Sequence, residues 1–325
     1  YYTRDDKDQI ISVTSAPQSG YSTRKMNAGL IRNRGVELSL GGMPVSTKNW
    51  KWEMNFNIAK NSNKLVELAD GVDSYSIYWT SFTTRLYNYA MVGKSLGVIT
   101  GNTWERDDNG NIIFHELSAS QKALYGGEYV PTYNQNTLDE LGNFHPDFTG
   151  GFNTSISFKN FRLSANIDFS VGGQIVSYTN MWGSSSGILD KTAELNDRGV
   201  NVREPVSKGG GIHMTGVDQN GNKVDTYVNA KLYYTTASRV WEEWVYDRTY
   251  VKLREVSLSY VFPSQTLKKL NIGLSRASVA INASNPWLIY SACPNVDVSE
   301  IGMGYFEGGN AAATRSIGFT VNLAF

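Results

Sequence analysis

Apolar residues recur at every second position in several stretches of the chain, which is the period of a β-strand and not that of a helix. In segment 50–58 the apolar positions are Trp50, Trp52, Met54, Phe56 and Ile58. The last nine residues, 317–325, repeat this pattern. Strands of about 9 to 11 residues are long enough to cross a bilayer as tilted barrel strands. The pattern therefore predicts strands with one apolar face and one polar face.

A tight hairpin is predicted where alternating stretches 152–158 and 161–171 flank the dipeptide Lys159-Asn160. Arg162 and Asp168 lie on the polar face of the second stretch. Contact of these charges with lipid would be costly, whereas contact with water would not. We therefore expect the polar face to line a water-filled lumen and the apolar face to point outward.

Further strands are predicted towards the C-terminus. One ends at Pro263, which lacks the N–H group that a central strand needs. The next contains Ile272, Leu274, Val279 and Ile281, and segment 317–325 forms the last. In all we expect about ten strands.

The predicted connections alternate in length. Short ones are expected near 41–49, Asn109-Gly110, 159–160 and 263–268, and long ones at 60–91, 118–146, 172–247 and 285–312. Outer-membrane barrels have short periplasmic turns and long extracellular loops. The loops of a soluble β-sandwich, the alternative, would not be sorted by length. The predicted fold is all-β, a transmembrane antiparallel β-barrel to which the whole chain, 1–325, contributes strands and extracellular loops.

The composition of the chain argues against nucleic-acid binding and agrees with a barrel. The chain has 30 basic and 30 acidic residues, and this zero net charge provides no basic face for nucleic acid. Its 19 Tyr, 13 Phe and 8 Trp agree with a barrel, whose strands carry aromatic residues at the membrane interfaces. The single cysteine, Cys293, cannot form an internal disulfide and is interpreted as a loop residue.

Six segments, in chain order, resemble the C-terminal region of SusC-like and RagA-like TonB-dependent outer-membrane transporters of the Bacteroidetes. They are YYTRDDKDQII at Tyr1, NAGLIRNRGVELSL at Asn27, HPDFTGGFNTSISFKNFRLS at His145, YVKLREVSLSYVFP at Tyr250, INASNPW at Ile281 and RSIGFTVNLAF at Arg315. The segments at Asn27 and Tyr250 are the most specific, because they combine strand alternation with charged residues and glycines at fixed places.

The resemblance implies a barrel of roughly 22 strands with a plug inside. This chain would then be the C-terminal part, and the plug and the N-terminal strands would lie outside it. The intact protein would import oligosaccharides across the bacterial outer membrane, or peptides as the main variant. Its partners would be a SusD-like surface lipoprotein and the TonB-ExbB-ExbD complex. The last strand, with Phe319, Val321, Leu323 and Phe325 on one face, would serve barrel assembly.

Catalytic and metal motifs are weak. His115, His145 and His213 lie far apart in the sequence and are interpreted as solvated loop residues. Segments 107–111 and 218–222 are similar to calcium loops but lack the required glycine, and Asn-Gly turns explain them more simply. We predict no enzyme activity, metal or cofactor, although oxygen ligands in such loops would suit a loosely bound calcium ion.

Aromatic residues in the long loops are the candidate binding residues for substrate or partner: Tyr75, Tyr78, Trp79, Tyr178, Trp182, Tyr233 and Tyr234. Aromatic faces stack on sugar rings or pack against proteins. For Trp79 and Trp182, a membrane girdle or packing within the loop explains the residue equally well. For Trp241 and Trp244, close to a predicted strand, the sequence favours the girdle.

Two other functions stay open at this point. A non-transporting barrel could act as an adhesin or a structural anchor, with its long loops binding a surface partner. An outer-membrane enzyme would need a cluster of catalytic side chains on one lumen face, and no such spacing is visible in the sequence.

Overall fold

The computed structural model describes residues 1–8, 10–14, 23–27, 29–80, 84–136, 138–270, 273–301, 306–308 and 313–325. Strands are numbered in chain order. The largest sheet has eight of them, in the order β1 (Tyr2–Lys7), β4 (Leu30–Ser46), β5 (Trp50–Glu67), β12 (Phe148–Phe158), β13 (Phe161–Val171), β18 (Tyr250–Val261), β19 (Arg276–Ser291) and β21 (Ser316–Ala324). The eight strands follow one another in the sheet in the same order as in the chain, and each is antiparallel to its neighbours. We call this sheet the wall.

The remaining strands lie between the wall strands. They are β2 (Ile10–Thr14), β3 (Thr23–Asn27), β6 (Ser74–Thr80), β7 (Leu86–Met91), β8 (Val98–Gly101), β9 (Ile113–Glu116), β10 (Tyr129–Pro131), β11 (Asp139–Asn143), β14 (Gln174–Ser177), β15 (Ile212–Asp218), β16 (Lys223–Val228), β17 (Val245–Asp247) and β20 (Phe306–Glu307). The α-helices are α1 (Ala119–Tyr125), α2 (Tyr178–Ser185), α3 (Ala230–Ala237) and α4 (Ser264–Leu270). In the described part of the chain, none of the helices has the length and hydrophobicity needed to span a membrane.

The two faces of the wall differ as the alternation predicts. Cross-strand neighbours share a face, so the register places like residues in rows. One row on the apolar face runs through Trp52, Ile156, Leu163, Leu258, Ile281 and Phe319. A row on the opposite face runs through Asn55, Asn153, Asn166 and Glu255. One sheet thus has a continuous apolar surface and a continuous polar surface.

Aromatic residues mark one end of the apolar face. Trp50 packs on Phe158, with their ring centroids 4.4 Å apart. Phe161 packs in the same way on Tyr260, at 4.7 Å. These residues flank the connections 47–49 and 159–160, where amphipathic aromatic rings of barrels meet the membrane interface.

The connections are short at this end and long at the other. Residues 47–49, 159–160 and 262–275 join wall strands at the short end, the last with helix α4. At the opposite end the connections are 68–147, 172–249 and 292–315, together with the β2–β3 hairpin, which continues the register of β1 and β4. Length therefore sorts the connections, as predicted.

Several predicted boundaries are wrong. Residues 60–67 belong to wall strand β5, and 285–291 belong to β19. The rest of the predicted loop 60–91 and the predicted loop 118–146 belong to one segment, 68–147. The turn at Asn109-Gly110 lies within that segment and not between wall strands. Strands β7 and β8 of this segment pair with each other away from the wall. A strand was predicted to include Ile272, but this residue lies outside the described part of the chain. Strand β19 begins only at Arg276.

The long segments pack into one assembly with its own core. Residues from 68–147 and 172–249 meet in a buried cluster that includes Leu86, Ile99, Met181, Trp241 and Trp244. Trp241 is 0% exposed and Trp244 is 1% exposed. The prediction that these two tryptophans form a membrane girdle is therefore wrong. Their side chains pack in the centre of the loop assembly because a long folded insertion needs an apolar core of its own.

Candidate functional site

The polar face of the wall contains a groove of about 270 Å³ that is lined by asparagine, serine and charged side chains. Arg162 lies 3.3 Å from Glu53 in this groove and donates a hydrogen bond to Ser155. Asp168 lies on the same face, farther from connection 159–160, and accepts two hydrogen bonds from Arg254 at 2.9 and 3.0 Å. Both residues that were predicted to face a wet lumen are thus on the polar face, each paired with an opposite charge.

A second, larger cavity lies in the loop assembly. It measures about 600 Å³, and its walls include Tyr78, Tyr178, Trp182, Ile188 and Phe306. We call it the aromatic cavity. None of its described lining residues carries a charge, and the hydroxyl groups of Thr179 and Ser186 are among its few polar groups. Concave sites of this volume, mostly apolar with a few polar groups, are typical of small-ligand binding.

The rings around the cavity are held against one another. Tyr78 and Phe306 lie 4.9 Å apart, and Tyr178 meets Phe306 edge-on at 5.0 Å. Tyr178 also contacts the buried Trp241, again at 5.0 Å. The exposed rings of the cavity are therefore continuous with the core of the loop assembly.

Glu307 joins the elements that form the cavity. Strand β20 pairs in parallel with β14, which places the Glu307 carboxylate next to the start of helix α2. That carboxylate accepts hydrogen bonds from the Ser177 hydroxyl at 2.7 Å, from the Thr179 N–H at 3.2 Å and from the Thr179 hydroxyl. Ser177 in turn caps α2 by accepting the N–H of Asn180 at 3.1 Å. Glu307 is buried, so these bonds hold Trp182 on α2 and Phe306 on β20 in a fixed relation.

The structure brings together three of the seven predicted aromatic residues. Tyr78, Tyr178 and Trp182 line the same cavity, with Tyr78 40% exposed and Trp182 42% exposed. Tyr75 packs elsewhere, against a small cluster with Leu65 and Leu68. The backbone of Trp79 pairs with Tyr87, and its side chain lies outside the described part of the structure.

Tyr233 and Tyr234 pack within the loop assembly. The Tyr233 hydroxyl donates to Glu243 at 3.3 Å, and the Tyr234 hydroxyl donates to the Lys191 carbonyl at 2.9 Å. Burial raises the pKa of Tyr234 to about 12 and raises that of Tyr233 further. Both phenols are therefore neutral donors that hold the fold of the assembly.

Sequence reasoning missed most of the other lining residues, Ile188 and Phe306 among them. It also missed Glu307, which joins the elements of the cavity without lining it. Phe306 and Glu307 form the two-residue strand β20, and Ile188 lies in an irregular connection, so neither stretch is long enough to show a periodic pattern. A glutamate directly after an aromatic residue in a glycine-rich loop was the one available signal, and it is weak.

Asp107 and Asp218 form turns of the same geometry. The Oδ1 atom of Asp107 accepts the N–H groups of Asn109 and Asn111 at 3.0 and 2.8 Å. Oδ1 of Asp218 accepts those of Asn220 and Asn222, both at 2.8 Å. Hydrogen bonds from the Asn111 and Asn222 side chains lower the pKa of the respective aspartates. The interpretation of both segments as Asn-Gly turns agrees with this geometry.

His213 does not fit its interpretation as a merely solvated residue. Its Nδ1 lies 2.9 Å from Asp197, its Nε2 lies 2.8 Å from Asp225, and its ring stacks on Tyr227. The imidazole thus connects the β15–β16 hairpin to the segment that contains Asp197. In the described part of the chain, no group of three or more potential ligands is arranged to bind a metal.

An antiparallel sheet with an apolar face, a polar face, short connections at one end and folded loops at the other is the wall of a transmembrane barrel. Comparisons with known proteins agree with this class. No family model matches the chain. TonB-dependent receptor P3 of Formosa agariphila is 27% identical over 305 residues, which cover 91% of this chain and 28% of that protein. TonB-dependent receptor SusC of Bacteroides thetaiotaomicron is 31% identical over 183 residues, or 54% of this chain and 17% of SusC.

Solved structures share the fold. The RagAB peptide importer in its closed-closed state matches 99% of this chain and 33% of that chain, with a TM-score of 0.68 and 18% identity. Its open-open state matches the same share of this chain with a TM-score of 0.67. The chain is thus a homologue of TonB-dependent receptors, SusC among them, and has the fold of part of such a transporter barrel. It spans about a third or less of the length of these relatives. The predicted resemblance is confirmed.

Proposed function

We propose that this chain is the C-terminal part of a TonB-dependent importer in the bacterial outer membrane. The wall carries the proposal, because its apolar face suits lipid and its polar face suits a water-filled passage. The names of the homologues support the same function. On this proposal the described residues form the wall, part of the lumen surface and part of the extracellular mouth.

The proposed substrate is an oligosaccharide. The aromatic cavity supports this choice, since Tyr78 and Trp182 expose ring faces and no described lining residue carries a charge. Aromatic faces bind sugar rings by stacking, and nearby hydroxyl groups orient them. A peptide is the alternative substrate, because RagAB is named as a peptide importer.

The proposed partners follow from the wall and from its relatives. Strands β1 and β21 are the edges of the sheet, and unpaired edges in lipid leave backbone groups unsatisfied. We propose that further strands and a plug of the same transporter complete the barrel. A SusD-like lipoprotein would cover the mouth, and TonB-ExbB-ExbD would supply energy through the plug. The proposed chemistry is binding and passage, which requires neither catalysis nor a cofactor.

Uptake by living cells tests the proposal. A strain with the intact transporter should accumulate labelled oligosaccharide, and deletion of TonB should abolish accumulation while leaving surface binding unchanged. Accumulation of labelled peptide in place of oligosaccharide would identify the alternative substrate. If neither accumulates and attachment to a surface persists without TonB, the chain belongs to an adhesin or an anchor and the proposal is wrong.

Co-purification provides the control for assembly. Extraction in mild detergent followed by mass spectrometry should recover this chain with a plug and with a surface lipoprotein. Recovery of the chain alone as a stable barrel would contradict the proposed partners.

A further inference from the structure

Lys252 on wall strand β18 is buried although it carries a charge. Its side chain is 2% exposed, and its Nζ donates to Asp297 at 2.7 Å, to Glu300 at 2.7 Å and to the Ser299 hydroxyl at 3.0 Å. All three acceptors lie on segment 292–301, which follows β19 and folds back over the polar face of the wall. An ammonium group with three acceptors is fully satisfied.

Arg254 forms a second attachment of the same segment. Its guanidinium binds both oxygens of Asp168 on the neighbouring strand β13 and also pairs with Glu300. Tyr250 adds a hydrogen bond to Asp168 at 3.1 Å. A bidentate pair fixes the orientation of the guanidinium, so Glu300 meets two cations that are both anchored in the wall.

The other side of segment 292–301 holds helix α2. The Asn180 side chain on α2 donates to the Pro294 carbonyl at 2.9 Å and accepts the Asn295 amide at 2.9 Å. Cys293 and Val298 pack on Ile175, which lies in the strand directly before α2. Helix α2 carries Trp182, so the segment connects the charged wall residues to the aromatic cavity.

We propose that Lys252 and Arg254 are positioning residues for the aromatic cavity. They attach segment 292–301 to the polar face of the wall, an attachment that we call the clamp, and the segment holds α2 and its Trp182 in the geometry that binds substrate. The proposal rests on the proposed function only for the identity of the substrate. The clamp itself is a property of the described contacts, and breaking a buried ion pair leaves an uncompensated charge that disfavours the clamped state.

The reactivity of Cys293 shows whether segment 292–301 is attached to Lys252 and Arg254. It is 1% exposed, and burial raises the pKa of its thiol to about 12. A buried neutral thiol reacts slowly with maleimide, whereas an exposed one reacts readily. Labelling of Cys293, located by mass spectrometry, therefore measures release of the segment without any substrate.

The test uses the intact transporter purified with its lipoprotein. Lys252→Met and the milder Glu300→Gln should each raise the rate of Cys293 labelling, by at least about tenfold for Lys252→Met, which is about 1.4 kcal/mol. Amide hydrogen exchange in α2 should rise with it. Heat-modifiable migration in gels shows whether each barrel is folded. Arg162→Met, which removes an ion pair elsewhere on the same face, is the matched control and should change neither readout.

Substrate affinity completes the test. Lys252→Met and Trp182→Ala should each lower oligosaccharide affinity, and the double variant should lose no more than the worse single variant, because both changes disable the same cavity. A purely structural role for Lys252 would give additive losses and would overturn the proposal. The proposal would also be overturned if the folded Lys252→Met variant showed the wild-type rate of Cys293 labelling and the wild-type hydrogen exchange in α2. If both readouts change as expected but the wild type binds only peptides, the positioning role stands and the oligosaccharide assignment is wrong.

Discussion

The ring of Phe306 lies 4.9 Å from the ring of Tyr78, and this contact joins segment 292–315 to segment 68–147. Phe306 follows wall strand β19 in the chain, whereas Tyr78 follows β5. The aromatic cavity therefore depends on segments that leave the wall at distant strands. A site assembled in this way is sensitive to the packing of the whole loop assembly.

Trp182→Ala should weaken binding of oligosaccharide to the intact transporter by roughly two- to tenfold. Stacked aromatic pairs contribute about 0.5 to 1.5 kcal/mol, and we expect a similar gain when the ring stacks on a sugar. Calorimetric titration of the purified complex measures this change. Trp287→Ala removes an exposed tryptophan from the apolar face of the wall and is the matched control, with no expected change in affinity. Equal affinities of the two variants would contradict the role of Trp182.

Leu258→Arg should impair insertion of the barrel. Leu258 is exposed on the apolar face of β18, two residues before Tyr260 at the aromatic end. An arginine that faces lipid costs about 2 to 4 kcal/mol at the bilayer midplane and less towards the interfaces. The next residue towards the N-terminus, Ser257, points to the polar face, so Ser257→Arg should be tolerated far better. The folded fraction on heat-modifiability gels distinguishes the two variants. Equal folding of both would show that the faces have been assigned wrongly.

Trp241→Ala should destabilise the loop assembly by about 3 to 5 kcal/mol, as expected for removal of a fully buried indole. The effect should appear as faster hydrogen exchange in α3 and in strands β7 and β8, while exchange in the wall stays slow. Leu124→Ala, at an exposed position on α1, should change stability by no more than about 0.5 kcal/mol. Slow exchange in α3 of the Trp241 variant would refute the assignment of this side chain to the core.

Acid should release segment 292–301. Hydrogen bonds from Lys252 lower the pKa of Glu300. At Asp297 burial alone would raise the pKa, but hydrogen bonds from Lys252 and Ser299 outweigh it and lower the pKa. Lowered carboxyl pKa values mean that this stabilisation is complete above the ordinary values of 4.5 and 3.8 and is lost as the pH falls below them.

Hydrogen exchange, corrected for the intrinsic rate at each pH, tests this expectation. Protection in 292–301 should stay constant from pH 6 to about pH 4.5 and should decrease below that, as the paired carboxylates take up protons. Strand β8 (Val98–Gly101), which contains no carboxylate, serves as the internal reference. If both segments lose protection in parallel, the loss reflects general unfolding and not release of the clamp.

Much of the wall could be predicted from the sequence. The final strand was expected at 317–325 and is observed at Ser316–Ala324, and the hairpin at Lys159-Asn160 lies where it was placed. These predictions succeed because a strand with one face in lipid and one in water must alternate locally. The same reasoning failed between residues 68 and 147, where Asn109-Gly110 was expected to join two barrel strands. The short strands of this segment pair away from the wall.

The candidate site was predictable only in part. Aromatic residues in the loops pointed to Tyr78 and Trp182, but the same signal selected Tyr233 and Tyr234, which are held inside the assembly by Glu243 and the Lys191 carbonyl. A tryptophan that forms a girdle and one that fills a core look alike in sequence. Burial distinguishes them, and burial depends on residues distant in the chain.

The sequence by itself determined the two-faced strands, the ends at which short and long connections lie and the family that the chain resembles. Each of these depends on local alternation or on local motifs. Only the tertiary structure decided that Phe306 meets Tyr78, that Glu307 ties β20 to α2, and that Lys252 is enclosed by Asp297 and Glu300. Those contacts arise from the packing of three long segments against one another. Single side chains that meet across such distances leave no periodic trace in the sequence.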